Sequence, residues 1–121
     1  MAVRHYTDLI VWQKAVELSI QVYRSTERFP QREIYGLSSQ MRRAGVSIPS
    51  NIAEGQGRAT VKDFLHFLAV ARGSIQELET QVIIAHRLGL IDDVGKRGLF
   101  NQLAEVARLL NGLVNSLATD N

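Results

Sequence analysis

The 121-residue chain contains no cysteine, which excludes disulfides, thiolate catalysis and cysteine-ligated zinc sites. The lack of cysteine also fits a reducing compartment, so we expect a cytoplasmic protein. The sequence has no run of about 18 apolar residues, and its N-terminus shows no apolar stretch before a cleavage site. We therefore expect a soluble protein with no signal peptide, no membrane span and no membrane partner.

Proline is also scarce, and glycine falls mostly where periodic segments end, so few points interrupt helical structure. Of the two prolines, Pro30 suits the first turn of a helix, whereas Pro49 lies inside a helical pattern and should bend it. Thr60 and Asp63 have the spacing of a capping box. The pattern predicts four amphipathic helices with short connections, over residues 8–28, 31–55, 61–88 and 93–118.

The third and fourth predicted helices each carry an apolar seam with alternating spacings of three and four residues. Such seams are typical of helices that cross at shallow angles in a bundle. No strand-like alternation competes with them, and short connections place each helix antiparallel to its predecessor. The sequence therefore predicts an all-α, up-down-up-down four-helix bundle formed by a single domain over residues 1–121.

The first predicted helix has more apolar surface than one bundle core can use. One stripe holds Trp12, Ile20 and Tyr23, and a second stripe runs along nearly the opposite side. The third helix also has apolar or small residues away from its seam. Because soluble monomers rarely expose large apolar patches, the excess predicts a homo-oligomer, although curvature and loops could instead cover both sides. The residues predicted at the oligomer interface are Val11, Ala15, Leu18, Val22, Val70, Gly73 and Ile84.

Patterns for familiar catalytic or metal chemistry are missing. The three histidines are dispersed, and no Glu-x-x-His pair or i,i+4 histidine pair occurs. The serines have no evident base, and no Walker-type loop is present. We therefore predict no enzyme, no bound metal and no cofactor.

The formal net charge is only +2, but 11 of the 14 basic residues are arginine, whose planar fork suits phosphate or carboxylate. Arg43 should point away from the apolar stripe of the second helix, with Arg42 at its edge. The glycine-rich turn before the third helix could present Arg58 and Lys62 to an anion, or serve only to end one helix and start another. The predicted nucleic-acid-binding residues are Arg42, Arg43, Arg58, Lys62, Arg24, Arg28 and Arg32.

These arginines could also be neutralised within the protein. Glu17, Glu27, Glu33 and Glu54 lie in the same segments and could form ion pairs with them. The sequence alone leaves open whether the basic surface is available to a ligand.

Several segments of the chain resemble a known family. They are Leu9-x-Val11-Trp12-x-x-Ala15, Thr26-x-x-Phe29-Pro30-x-x-Glu33-x-Tyr35-Gly36-Leu37, Gln40-x-Arg42-Arg43-Ala44-x-x-Ser47-Ile48-x-x-Asn51-Ile52-Ala53-Glu54-Gly55 and Gly73-Ser74-x-x-Glu77-Leu78-Glu79. Together, over roughly residues 6–91, they resemble the bacterial 23S rRNA intervening-sequence, or S23, family. Members of that family are similar to the accessory variability determinant of diversity-generating retroelements.

The resemblance implies an antiparallel four-helix bundle that assembles into a ring-shaped homopentamer. It also implies binding of nucleic acid or ribonucleoprotein, with no catalytic activity and no cofactor. Two functional hypotheses follow. In the first, the protein is a non-enzymatic oligomeric scaffold that binds RNA or DNA through repeated arginine–phosphate contacts. In the alternative, it is an adaptor that docks a protein partner such as a polymerase or reverse transcriptase.

Overall fold

The computed structural model describes residues 5–120, apart from the side chain of residue 120. Within that range the chain forms four α-helices and two short 3-10 turns, with no strand, which confirms the predicted all-helical class. The 3-10 turns are Tyr6–Asp8 and Gln31–Glu33. The helices are α1 (Ile10–Thr26), α2 (Leu37–Gln56), α3 (Val61–Arg87) and α4 (Asp93–Asp120).

Local hydrogen bonds explain where the last two helices begin and end. The Thr60 hydroxyl accepts a hydrogen bond from the Asp63 amide (3.1 Å), which caps the start of α3. Gly89, at φ 78°, ends α3, and the Leu90 amide turns back to donate to the Ala85 carbonyl at 2.9 Å. The Asp92 carboxylate then accepts from the Gly95 amide (2.7 Å) at the start of α4.

Helix α2 begins later than predicted. The sequence predicted one helix from residue 31, but Gly36 has φ −113° and ψ −116°, far from helical values, and separates the Gln31–Glu33 turn from α2. The Glu33 carboxylate accepts from the Leu37 amide (3.2 Å) across this break. The connection between α1 and α2 is therefore a longer, exposed turn over residues 27–36.

The helices pack in a closed four-sided arrangement. Helices α1 and α3 each contact α2 and α4, and the diagonal pairs do not approach each other in the described part of the chain. Arg42 near the start of α2 reaches Thr26 at the end of α1, and Gly55 near the end of α2 faces Phe64 at the start of α3. Sequence neighbours are thus antiparallel, as in an up-down-up-down bundle.

The apolar stripe of α1 assigned to an oligomer interface instead forms the core of the single chain. Val11, Ala15, Leu18 and Val22 are all at most 4% exposed. That part of the interface prediction was wrong. The two stripes of α1 are similarly apolar, but the stripe with smaller side chains allows α1 to lie close to α2. The opposite stripe, which was expected to form the core, is only partly covered.

Glycine allows α2 to lie close to α3. A Cβ atom on Gly55 would lie 2.8 Å from the Phe67 Cβ, closer than Cβ atoms approach in real structures, and 3.2 Å from the Phe64 carbonyl oxygen, which is a tight contact. A Cβ atom on Gly45 would lie 3.5 Å from the Ser19 hydroxyl on the α1 side, which is ordinary contact. The contact of α2 with α3 at Gly55 is therefore closer than its contact with α1 at Gly45.

Arg42 joins the start of α2 to the end of α1. Its Nε donates a hydrogen bond to the Thr26 hydroxyl (2.8 Å), which in turn donates to the Val22 carbonyl (2.8 Å). The guanidinium also lies 4.7 Å from the centroid of the Tyr23 ring. A cation at a helix C-terminus is stabilised by the negative end of the helix dipole. Arg42 is therefore a structural residue, although it was predicted to contact nucleic acid.

We predict that Gly55→Ala destabilises the bundle by about 1–3 kcal/mol, because the added methyl group overlaps α3 backbone and side chains. The matched control is Gly112→Ala, since a Cβ atom there meets nothing within 4 Å and the exposed helix should gain about 0.5–1 kcal/mol. Urea unfolding of both variants measures the difference. Equal stabilities would show that α2 and α3 are not held this closely.

Adjacent arginines should differ sharply in their effect on stability. Arg42→Ala should lower the free energy of unfolding by about 1–2 kcal/mol, because it removes a charge-assisted hydrogen bond and a cation–π contact. Arg43→Ala should change it by less than about 0.5 kcal/mol, because Arg43 is exposed and makes no hydrogen bond or ion pair within residues 5–120. Denaturant unfolding tests both, and similar destabilisation by the two variants would contradict the assigned role of Arg42.

Candidate nucleic-acid interface

The bundle has one strongly basic end. It is formed by residues 23–43 and 83–97, where α1 and α3 finish and α2 and α4 start, and we call it the basic end. It holds eight of the chain's 14 basic residues: Arg24, Arg28, Arg32, Arg42, Arg43, Arg87, Lys96 and Arg97. Only four acidic residues lie there: Glu27, Glu33, Asp92 and Asp93. The rest of residues 5–120 has five basic and eight acidic residues, so the surplus of positive charge is concentrated at this end.

Within residues 5–120 the acidic residues at the basic end form no ion pair with its arginines, although the charges of Arg97 and Lys96 act on the Asp93 carboxyl. Three of the four have other partners: Asp92 and Glu33 accept from backbone amides, and Asp93 accepts from the His86 ring (2.6 Å). The hydrogen bond and charge of His86 hold the pKa of the Asp93 carboxyl below its ordinary value, so Asp93 is ionised at neutral pH. Within residues 5–120, Glu27 and Glu33 form no ion pair with these arginines, so the pairing that the sequence left open is not seen in that part of the chain.

Six arginines at this end are exposed and have no hydrogen bond or ion pair with any described residue. They are Arg24, Arg28, Arg32, Arg43, Arg87 and Arg97. Surface arginines commonly pair with acidic neighbours, and these six do not. Their guanidinium groups are therefore available to an external anion.

The structure does not bring all predicted basic residues to one surface. Arg58 and Lys62 lie at the far end of α2 from Arg43, about 20 Å away at 1.5 Å per helical residue. Arg58 also has partners of its own, since it pairs with Glu54 (3.2 Å) and its guanidinium lies 4.7 Å from the Phe67 ring centroid. The sequence suggested one basic surface that joins Arg58 to the arginines near the first turn, and the structure places Arg58 at the opposite end of α2 from them.

Two of the predicted arginines lie together beside the turn between α3 and α4. Arg24, in the last turn of α1, and Arg28, just after that helix, line a cleft of about 450 Å³ that also includes residues 89–92. Asp92 is in this cleft too, but its carboxylate is bonded to the Gly95 amide. Both arginine side chains therefore line the same cleft.

Three basic residues of this end were not among the predicted binding residues: Arg87, Lys96 and Arg97. They come from α3 and α4, more than 40 positions after the other arginines, so no local motif connects them. The signal that could have found them was the antiparallel topology, because that order places the C-terminus of α3 and the N-terminus of α4 beside the turn after α1. Combined with the positions of the basic residues, the predicted topology would have placed all three at this end.

Tyr35 was also missed. It lies in the turn before α2 and is 97% exposed, more than any other large apolar or aromatic side chain of the described chain. The sequence predicted a helix from residue 31 that contains Tyr35. A residue in such a helix is expected along the side of the bundle, so its exposure at the end of the bundle was not predicted. An exposed aromatic ring among unpaired arginines can stack on an unpaired nucleic-acid base.

The segments with the family-like motifs of α2 and α3 lie against each other. The Ser47 and Ser74 hydroxyls are 2.8 Å apart, and the Asn51 side-chain amide donates to the Ser47 carbonyl (2.8 Å) and hydroxyl (3.0 Å). These contacts surround the bend expected at Pro49. Asn51 therefore supports the shape of α2 through bonds within that helix.

Two other structural features would indicate a function: a metal-binding cluster of side chains and a membrane-spanning helix. Residues 5–120 contain no group of three or more His, Asp or Glu side chains arranged to hold a metal ion. None of the helices in that range is both long enough and apolar enough to cross a membrane.

Comparison with known proteins agrees with the arrangement of helices. None of the curated proteins matches this sequence. A solved structure of a protein of unknown function from the S23 ribosomal protein family of Bacteroides thetaiotaomicron is similar in fold, with a TM-score of 0.78 and 23% identity. The similarity covers 87% of this chain and 98% of that one. The family model described as "23S rRNA-intervening sequence protein" matches residues 7–112, and the chain therefore belongs to this family.

Proposed function

We propose that the protein is a non-enzymatic, oligomeric, cytoplasmic scaffold that binds RNA or another nucleic acid through its basic end. The observation that carries the proposal is the set of six exposed arginines without partners among the described residues, all at one end of the bundle. The family description, which refers to a sequence within 23S rRNA, supports nucleic acid as the ligand.

The contacts would be mainly to phosphates. A guanidinium group donates two parallel hydrogen bonds to phosphate oxygens, and each neutralised phosphate releases bound counterions. The arginines come from all four helices and the connecting turns. They therefore form a broad surface, unlike a single helix that reads bases in a nucleic-acid groove. Such a surface recognises the shape and charge of the backbone more than its sequence.

Self-association would multiply these contacts. A ring-shaped homopentamer, as the resemblance implies, would present five basic ends, so a modest charge on one chain becomes a strong field on the assembly. Of the residues predicted at the oligomer interface, Val70 (40% exposed), Ile84 (44% exposed) and the exposed Gly73 remain available for contact between copies. The buried α1 residues are not available for such contact: Val11, Ala15, Leu18 and Val22.

One observation favours the alternative, an adaptor for a protein partner such as a polymerase or reverse transcriptase. The basic end also exposes Leu88 (64%) and Val94 (70%), and apolar side chains next to arginines are typical of protein-binding surfaces. Capture of a protein that persists after nuclease treatment would favour this alternative.

We predict that Arg24→Glu combined with Arg28→Glu weakens nucleic-acid binding. The slope of log affinity against log salt concentration should fall by about 0.7–0.9 for each phosphate that the variant no longer neutralises. The matched control is Lys62→Glu combined with Arg108→Glu, which changes net charge equally but lies away from the basic end. Fluorescence-anisotropy titrations at two or more salt concentrations measure both.

Equal weakening by the two double variants would mean that net charge, and not the basic end, governs binding. No binding by the unmodified protein to structured RNA, duplex DNA or single strands at low salt would contradict the proposed function and favour the protein-adaptor alternative.

Tyr35 should matter only for ligands with unpaired bases. We expect Tyr35→Ala to weaken binding to single-stranded RNA by about 1–3 kcal/mol, the usual value of one base–aromatic stack. Binding to a blunt duplex should be unchanged, because its bases are already stacked. Tyr35→Trp is the control, since it keeps an aromatic face, and competition titrations compare all three proteins. Equal weakening for duplex and single strand would show that Tyr35 does not stack on bases.

A further inference from the structure

A polar pocket lies between α2 and α3. It has a volume of about 330 Å³, at the lower end of the range of small-molecule sites, and we call it the α2–α3 pocket. Its lining residues are Gln40, Arg43, Ala44 and Ser47 from α2 and Glu77 from α3. All five are positions of the two segments that resemble the S23 family, so the fold brings two separate parts of that resemblance to one pocket.

The spacing of the α2 residues explains why they face the same space. Gln40, Arg43 and Ser47 follow one another at intervals of three and four residues, which places them on one side of the helix. Ala44 lies on that side too and is only 2% exposed. Its small side chain leaves room between the longer polar side chains around it.

Hydrogen bonds fix one wall of the α2–α3 pocket. The Ser47 hydroxyl lies 2.8 Å from the Ser74 hydroxyl of α3, and it accepts a hydrogen bond from the Asn51 side-chain amide at 3.0 Å. These bonds hold α2 against α3 beside the pocket. Its shape therefore comes from the packing of the two helices and does not require a ligand.

The three exposed side chains of the pocket have no partner in the described chain. Gln40, Arg43 and Glu77 form no hydrogen bond or ion pair with any of residues 5–120. Arg43 and Glu77 carry opposite charges and line the same pocket, yet they do not pair with each other. The pocket therefore offers a cationic donor and an anionic acceptor at separate places.

This arrangement limits the chemistry of the ligand. A guanidinium group only donates hydrogen bonds, and an ionised carboxylate only accepts them. A matching ligand must carry an anionic group for Arg43 and N–H donors for Glu77. A nucleotide has both, because its phosphate suits arginine and its base carries the N–H groups.

Among the bases, guanine fits a carboxylate best. Its N1–H and N2–H groups lie side by side on the Watson–Crick edge, so both can donate to the two oxygens of one carboxylate. Adenine and cytosine place an acceptor nitrogen next to their amino group, and uracil has carbonyl oxygens on both sides of its N–H. Those acceptors would face the carboxylate and repel it. The Gln40 amide can donate to the guanine O6.

We propose that the α2–α3 pocket holds an unpaired guanine nucleotide. Glu77 accepts hydrogen bonds from the N1–H and N2–H groups of the base, and Arg43 donates to the phosphate. This inference rests on the proposed function and narrows its ligand to a nucleic acid with an exposed guanine. A guanine in a duplex uses the same edge to pair with cytosine, so only a loop, a bulge or a single strand can present it. Free GMP offers the same groups.

RNA hairpins that differ in one loop base test the inference. The loop is made of uracils with a central guanine, inosine, adenine or uracil, and fluorescence anisotropy measures each dissociation constant. The guanine hairpin should bind about 5- to 150-fold more tightly than the adenine hairpin, the usual discrimination of one bidentate contact. Inosine, which lacks only the N2 amino group, should lie between them. Equal affinity across the series would overturn the inference.

A pair of glutamate variants assigns the preference to the pocket. Glu77→Gln should remove the preference for guanine over adenine, because an amide presents one donor and one acceptor to the base. Glu79→Gln is the matched control, since it removes the same charge from the same helix but lies outside the pocket. Both variants change the net charge equally, so the ratio of the two affinities isolates the base contact. An unchanged ratio in folded Glu77→Gln, checked by circular dichroism, would overturn the role of Glu77.

The outcomes separate this inference from the proposed function. Tight binding of all hairpins without a base preference would overturn the guanine site and leave a phosphate-binding scaffold. Titration with GMP supplies the other comparison. Binding of GMP that is lost in Glu77→Gln, with no binding of any hairpin, would support the guanine site and contradict a nucleic-acid scaffold. No binding of either GMP or the hairpins would overturn both.

Discussion

The close approach of α2 to its two neighbours is the constraint on which the rest of the structure depends. Gly55 permits contact with α3, and Gly45 meets Ser19 across the interface with α1. Because α2 lies close to α1, Arg42 can reach the last turn of α1, and the Ser47 hydroxyl can reach Ser74 because α2 lies close to α3. The turn over residues 27–36 is then left outside, where it carries Arg32 and Tyr35. The same packing therefore positions the basic end.

The electrostatics of the helix ends explain part of the charge distribution, but not all of it. Arg24 and Arg87 lie in the last turns of α1 and α3, where basic side chains interact favourably with helix dipoles. Lys96 and Arg97 lie near the start of α4, where the dipole disfavours positive charge. Both residues instead interact with the charge of Asp93 in the first turn, and the Lys96 ammonium lies 5.9 Å from the Phe100 ring centroid.

The sequence by itself determined that the chain is all-helical and where α3 and α4 lie, because a periodic apolar seam and the caps at Thr60 and Gly89 are local signals. It also identified arginine as the candidate functional side chain. Only tertiary structure decided which stripe of α1 faces inward, because both stripes are apolar and the choice depends on how closely α2 can approach. Tertiary structure also separated Arg58 from Arg43 and joined Arg87 and Arg97 to Arg24. Basic residues that are far apart in sequence come close only where antiparallel helices end together. No local sequence pattern predicts which residues these are.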